Sequence, residues 1–168
     1  MMAQSEIVFL GLGSNLGNRR QYLRQAIDHV KTLSTTPPHC SACYESLPFG
    51  GMEQPLYVNQ IIQLQTLLSP ELVLEKCLAI EHRLGRVRRQ KWEPRLIDID
   101  LLFYGSHILE TEQMIVPHPE FHHRSFVLVP MLELAPDWVD PRSQKTILQL
   151  WEDWKQTHQE PLPQILQA

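Results

Sequence analysis

Cysteine is scarce in this chain. The three present, Cys40, Cys43 and Cys77, are an odd number, which argues against a disulfide framework. Cys40 and Cys43 form a C-x-x-C, but no second pair or suitably spaced histidine accompanies it. In an extended segment the two would also face opposite sides, so reduced, half-buried thiols are expected in place of a zinc or redox site. Long apolar runs are missing as well, and none approaches the length that spans a bilayer. The N-terminus, MMAQSEIVFLGLGSN, has no basic region and carries Glu6, which argues against a signal peptide. A cytoplasmic protein with no membrane partner is expected. Nor is there an excess of positive charge: Lys+Arg 15 against Asp+Glu 19 gives a formal net charge of −4, so bulk charge offers no reason to expect nucleic acid. Glycine is sparse, at 7 residues, yet three of them fall in GLGSNLGN as Gly11, Gly13 and Gly17. That spacing is not G-x-G-x-x-G and no Lys-Ser/Thr follows, so the dinucleotide fingerprint and the P-loop are both excluded. A glycine-rich strand-to-helix turn remains, with the option that its backbone N–H groups face an anion.

What is present reads as one domain over residues 1–168, with 43% hydrophobic and 20% charged residues, an ordinary soluble composition. Ile7 to Leu12 is a short apolar run ended by Gly13, a buried first strand. Asn18 can cap a helix whose stripe is Leu23, Ala26, Ile27, Val30 and Leu33. His39 to Tyr44 reads as the second strand, and Glu45 to Pro55 has the Gly and Pro density of a long functional loop. Tyr57 to Leu68 is a long strand, with Tyr57, Asn59, Ile61, Gln63 and Gln65 on its more polar face. Ser69-Pro70-Glu71 opens a second helix that Gly85 closes. A fourth strand follows, then the stretches VPHPEFHHRSF and FVLVPMLELAP, and a last helix near Thr146 to Lys155. Trp138, Trp151 and Trp154 read as packing. Strand, helix, strand, strand, helix, strand is the split βαβ order. It predicts an α+β, ferredoxin-like fold: a mostly antiparallel sheet, two helices on one face, and appended C-terminal elements.

The chemistry concentrates in Arg83 to Gly105, RLGRVRRQKWEPRLIDIDLLFYG. Arg83, Arg86, Arg88, Arg89, Lys91 and Arg95 crowd its first half. In its second half Leu96, Asp98, Asp100 and Leu102 point one way, and Ile97, Ile99, Leu101 and Phe103 the other. Asp98 and Asp100 would then stand side by side, about 7 Å apart at Cα. A basic run is commonly a solvated face, and a lone Asp at a strand end a turn cap. Two carboxylates on one face of an apolar strand repel, however, and partial burial costs several kcal/mol unless cations pair with them. Oxygen ligands for a hard cation beside guanidinium forks for phosphate suit a magnesium-bound polyphosphate. Glu81 lies beside the inward stripe of the second helix and reads either as an exposed charge or as a carboxylate behind this site.

LGLGSNLG, FGGMEQPLYVNQ, the GRVR and PRLIDIDLLFYG pieces flanking Trp92, and VPHPEFHHRSFVLVPMLELAP together resemble the 6-hydroxymethyl-7,8-dihydropterin pyrophosphokinases of folate synthesis. The likeness runs from about Ile7 to Pro136, with the motifs in family order. It implies ATP-dependent transfer of a pyrophosphoryl group to the pterin hydroxymethyl oxygen, with AMP leaving. It further implies that Asp98 and Asp100 hold two Mg²⁺ ions and that Arg86 and Arg95 act on the transferred group. Glu81, Arg88, Trp92, Ile99, His118 and Arg124 would serve ATP. Ser46, Leu47, Phe49, Tyr57, Asn59, Asp98 and Phe126 would hold the pterin, Tyr57 and Phe126 as a sandwich and Asn59 on its amide edge. The partners are then these small molecules, without nucleic acid or membrane, and the chain is expected to be a monomer. The sequence departs from the family at Glu93-Pro94, Lys91, Ser46-Leu47 and Glu45, and the arginine-bearing loop is slightly short. Two other readings share part of the pattern. A ferredoxin-like nucleic-acid-binding module would use Arg83 to Arg95 as a phosphate-tracking patch, although paired acids adjoin it. A metal-dependent phosphohydrolase would use the carboxylates but leaves Tyr57, Asn59 and Phe126 without a role.

Overall fold

The computed structural model describes residues 3–87, 91 and 93–167. Among these the strands and α-helices run β1 (Glu6–Ser14), α1 (Arg19–Val30), β2 (His39–Cys40), β3 (Tyr44–Ser46), β4 (Tyr57–Thr66) and α2 (Pro70–Arg83). They continue as β5 (Asp98–Tyr104), β6 (Leu109–Glu110), β7 (Ile115–Val116), α3 (Ser125–Leu134), α4 (Ile147–Thr157) and β8 (Gln164–Ile165). The main sheet has the order β5-β1-β4-β3-β8, with β2 also on β4, and its pairings are antiparallel. With β2 and β3 taken as one interrupted strand, the fourth, first, third and second strands lie side by side, the ferredoxin-like order.

The local signals act as expected at the helix starts. Asn18 accepts the Gln21 N–H, Ser69 accepts the Leu72 N–H ahead of Pro70, and Thr146 with Gln149 forms a capping box on α4. Gly85 sits just past α2 at φ 93°, a conformation costly for any residue with a side chain.

Four features differ from the pattern reading. First, β1 does not stop at Gly13; it runs through Gly11 and Gly13 to Ser14, since β4 and β5 pair with it along that length. Second, the strand expected over His39 to Tyr44 is split. Ser41 trades both of its groups with Ile61, its hydroxyl accepting the Ile61 N–H at 2.9 Å, while the Ala42 N–H turns to the Glu133 carboxylate. Third, the register on β1 skips from Phe9↔Phe103 to Leu10↔Leu101, so Leu102 bulges. Phe103 therefore joins Leu102 on one face, and Ile97, Ile99 and Leu101 keep the other with Tyr104. Fourth, FVLVPMLEL forms α3, despite Pro130 in its interior.

These features give three layers. α1 and α2 cover one face of the sheet over Val8, Leu10, Ile62, Leu64, Ile99 and Leu101. α3 and α4 cover the other over Phe9, Ile61, Leu102 and Phe103, with Trp138 edge-on to Phe9 at 4.9 Å and Trp154 stacked on Trp151 at 5.1 Å. Fully burying Phe9 or Phe103 contributes roughly 1.5–3 kcal/mol each. At the sheet edge β8 pairs with β3, and the Leu166 N–H reaches the Cys43 carbonyl at 2.9 Å, which shields an otherwise open strand.

Candidate active site

Two glycines set the floor of the site. Gly13 lies between Asp98 on β5 and Asn59 on β4, and Gly11 between Asp100 and Ile61. With no side chain on either glycine, the α3 side of the sheet keeps a trough between the carboxylates and the polar face of β4. A Cβ added at Gly13 would come within 3.1 Å of Asn59 Oδ1, so the trough is closed to any larger residue unless Asn59 moves. The reading of these glycines as a turn is thus replaced: they are strand residues that make room.

The walls come from three elements. β4 supplies Tyr57 and Asn59, the end of β3 and the loop after it supply Ser46, Leu47 and Phe49, and α3 supplies Phe126, with Arg124 just ahead of it. Asn59 Nδ2 donates to Ser46 Oγ at 2.7 Å, which fixes the amide. Phe49 meets Phe126 edge-on at 6.3 Å, and the Arg124 guanidinium lies 5.2 Å and 5.7 Å from those two rings. Every pterin-site residue expected from the resemblance lines this one cavity, along with Asp98, Asp100 and Arg95.

The charges are arranged in a chain. Glu81, buried in the last turns of α2, accepts the Ile99 N–H at 2.8 Å and pairs with Arg86 Nη1 at 2.7 Å. The same Arg86 nitrogen reaches Asp98 Oδ1 at 2.6 Å, and Arg95 Nη1 holds Asp98 Oδ2 at 2.7 Å. Glu81 is therefore no exposed charge; it braces both β5 and the arginine in front of it. Asp100 has a poorer partner, Arg124 Nη1 at 3.9 Å. Burial, then the Asp98 charge beside it, push the Asp100 carboxyl up to about 7. Among the described residues no group of three or more His, Cys, Asp and Glu gathers around a metal position. Mg²⁺ characteristically takes only one or two protein carboxylates and completes its shell with water and phosphate oxygens. Two carboxylates on one strand face, one of them short of positive charge, fit such an ion.

His118 stands nearby: its N–H bonds the Leu102 carbonyl at 2.9 Å, and its Nδ1 accepts the Glu120 N–H at 3.1 Å. Burial and then Arg124 lower its pKa to about 4, so the ring is neutral at pH 7. Ile99 is not brought to the cavity; its side chain packs in the core under α1 and α2. Arg88 and Trp92 lie outside the described residues.

Sequence reasoning missed Asn15. It is buried, and its backbone and side-chain groups join three segments: Nδ2 reaches Gln54 Oε1 and the Pro55 carbonyl, both at 3.2 Å, and Oδ1 accepts the Arg95 N–H at 2.7 Å. The Asn15 N–H also donates to the Arg95 carbonyl at 3.0 Å. A polar residue directly after a buried strand was the one local hint; its partners are distant in sequence.

Comparison with known proteins places this arrangement. Residues 9–136 match the family model described as 7,8-dihydro-6-hydroxymethylpterin-pyrophosphokinase (HPPK). A Synechocystis 2-amino-4-hydroxy-6-hydroxymethyldihydropteridine pyrophosphokinase is 46% identical over 144 residues, covering 85% of this chain and 73% of the relative. The Haemophilus influenzae protein of the same name is 40% identical over 137 residues, 81% of this chain and 86% of its own. Among solved structures, a Plasmodium falciparum HPPK-DHPS with pteroate superposes with a TM-score of 0.71 at 14% identity, which bears on the fold alone. That match covers 92% of this chain, which spans 43% of the longer protein's length. The chain belongs to the 7,8-dihydro-6-hydroxymethylpterin-pyrophosphokinase family.

Proposed function

We propose that this chain transfers the terminal pyrophosphoryl group of ATP to the hydroxymethyl oxygen of 6-hydroxymethyl-7,8-dihydropterin, a step of folate biosynthesis. The observation that carries the reading is the glycine-floored trough, which puts Tyr57, Asn59 and Phe126 and the Asp98–Asp100 pair in one cavity. The hydroxyl oxygen forms a bond to the β-phosphorus and gives its proton to solvent, the bond from that phosphorus to the α,β-bridging oxygen breaks, and AMP leaves. Such transfers need positioning and charge neutralisation more than covalent help.

Tyr57 and Phe126 hold the pterin ring between them, and Asn59, fixed by Ser46, meets its amide edge. Asp98 and Asp100 are the carboxylates that would hold two Mg²⁺ ions, which when bound neutralise phosphate charge and align the reacting oxygens. Arg86 and Arg95, already gathered on Asp98, are placed to shift onto phosphate oxygens as the nucleotide enters. Asn15 couples the Arg95 backbone to the pterin loop, so the two halves of the site move together. The nucleic-acid reading is not favoured, because α3 and α4 cover the sheet face that such a module would present. Among the described residues no helix is long and apolar enough to cross a membrane.

Incubating the protein with ATP, Mg²⁺ and the hydroxymethyl pterin should yield AMP and the pterin diphosphate in equal amounts. ADP as the nucleotide product would instead make it an ordinary kinase. Phe126→Ala should weaken pterin binding by ~1–3 kcal/mol through loss of a stacking face, with nucleotide affinity unchanged. An unaltered pterin titration would remove Phe126 from the sandwich.

A further inference from the structure

We infer that Arg19 is a positioning residue for the pterin, clasping both ends of the loop that forms the outer wall of its pocket; this rests on the pyrophosphokinase reading above. One guanidinium nitrogen, Nη1, lies 2.9 Å from Glu45 Oε2 and donates to the Leu56 carbonyl at 2.8 Å. Glu45 is the residue before Ser46, and Leu56 the residue before Tyr57, so the clasp closes the base of the intervening segment. That segment carries Leu47 and Phe49 into the cavity, while at Gly50 and Gly51 an added Cβ would meet no atom within 4 Å. The loop therefore has a tied base and a tip in open space.

The position of Arg19 also calls for a reason beyond its helix. It is the first residue of α1, followed by Arg20, and the first turn holds no acidic residue. Cations there oppose the helix dipole, so helix formation does not account for the choice. The clasp does. Asn15, a few residues earlier, holds Gln54 and Pro55 from the other side, and the stretch from Asn15 to Arg19 thus governs how far the pocket wall can swing. A partly exposed ion pair commonly contributes little to overall stability, which is why its effect belongs in substrate affinity and not in melting temperature. A loop held in its bound shape saves the ordering cost at the moment of binding.

The test compares Arg19→Ala, Arg19→Lys and Glu45→Gln with the unaltered protein in steady-state AMP formation and in hydrogen exchange of residues 47–53 without substrate. Arg19→Ala should raise the pterin KM between about threefold and tenfold, with kcat and the ATP KM within about twofold. Its loop should exchange faster. Arg19→Lys should restore most of the affinity, and Glu45→Gln should show the same shift at smaller size. A pterin KM within about twofold of the unaltered protein, an equal shift in both KM values, or unchanged exchange in the loop would each overturn the clasp. Failure of the unaltered protein to make AMP would strike the functional reading instead, and the exchange measurement would still decide whether Arg19 restrains the loop.

Discussion

Asp100→Asn should abolish most turnover and at the same time make the folded protein more stable at pH 8. The activity loss is expected at about 10²–10³-fold in kcat, the scale for removing one preorganised charge at a transferring group. The stability gain follows from the carboxyl's position. Burial and the Asp98 charge raise its pKa from 3.8 to about 7, so the folded state holds a proton that the unfolded state has released across the window from about pH 4 to pH 7. Where the folded state binds more protons, stability falls as pH rises. Wild-type protein therefore loses this contribution progressively as pH climbs from about 4 to about 7, and an amide, which cannot ionise, does not. The Asp100 side chain is 35% exposed, so solvent screens part of the cost. A gain of about 1–2 kcal/mol at pH 8 remains after that discount, or roughly 2–8 °C in Tm. The difference should vanish toward pH 4. Melting curves of the two proteins across pH 4–8 check this, and a variant less stable than wild type at pH 8 would show that Asp100 is well paired and structural.

Arg86→Ala should move stability the other way, costing about 3 kcal/mol of it as well as activity. Its guanidinium is 8% exposed and serves Glu81, 3% exposed, and Asp98 through one nitrogen. Removing it takes a cation away from two carboxylates in a poorly hydrated place, and breaking a buried pair costs more than the pair was worth. Glu81→Gln in the same background should return part of the stability, because the amide keeps an oxygen for the Ile99 N–H without the charge. Denaturant titrations of the single and double variants measure both effects. An Arg86→Ala protein within about 1 kcal/mol of wild type would mean that other partners carry the two acids.

Much of this architecture was legible before any coordinates. The caps at Asn18 and Ser69 and the element order led to the ferredoxin-like core, because those signals act over a few residues. The pairing of Asp98 with Asp100 was legible too, since neighbours two apart on a strand share a face. What stayed hidden depends on distant partners or on broken periodicity. α3 is apolar on every side and contains Pro130, so no helical stripe marks it. Alternation from Leu96 to Phe103 is regular in sequence, yet the bulge at Leu102 turns Phe103 to the other face. Gly11 and Gly13 look like turn formers unless one knows that strands flank them on both sides. Tyr57 and Asn59 were marked by the polar face of a predicted strand, Phe126 stood out only through family resemblance, and Asn15 and Arg19 act on partners tens of residues away.

The central claim is that Asp98 and Asp100 hold the divalent ions that bring the phosphate chain of ATP beside the pterin slot. Calorimetric titration of a non-hydrolysable ATP analogue into wild type and into the Asp98→Asn, Asp100→Asn double variant, each with and without Mg²⁺, tests it most directly. Wild type should bind the analogue far more tightly with the metal, and the double variant should lose that difference. Equal Mg²⁺ enhancement in both proteins would contradict it.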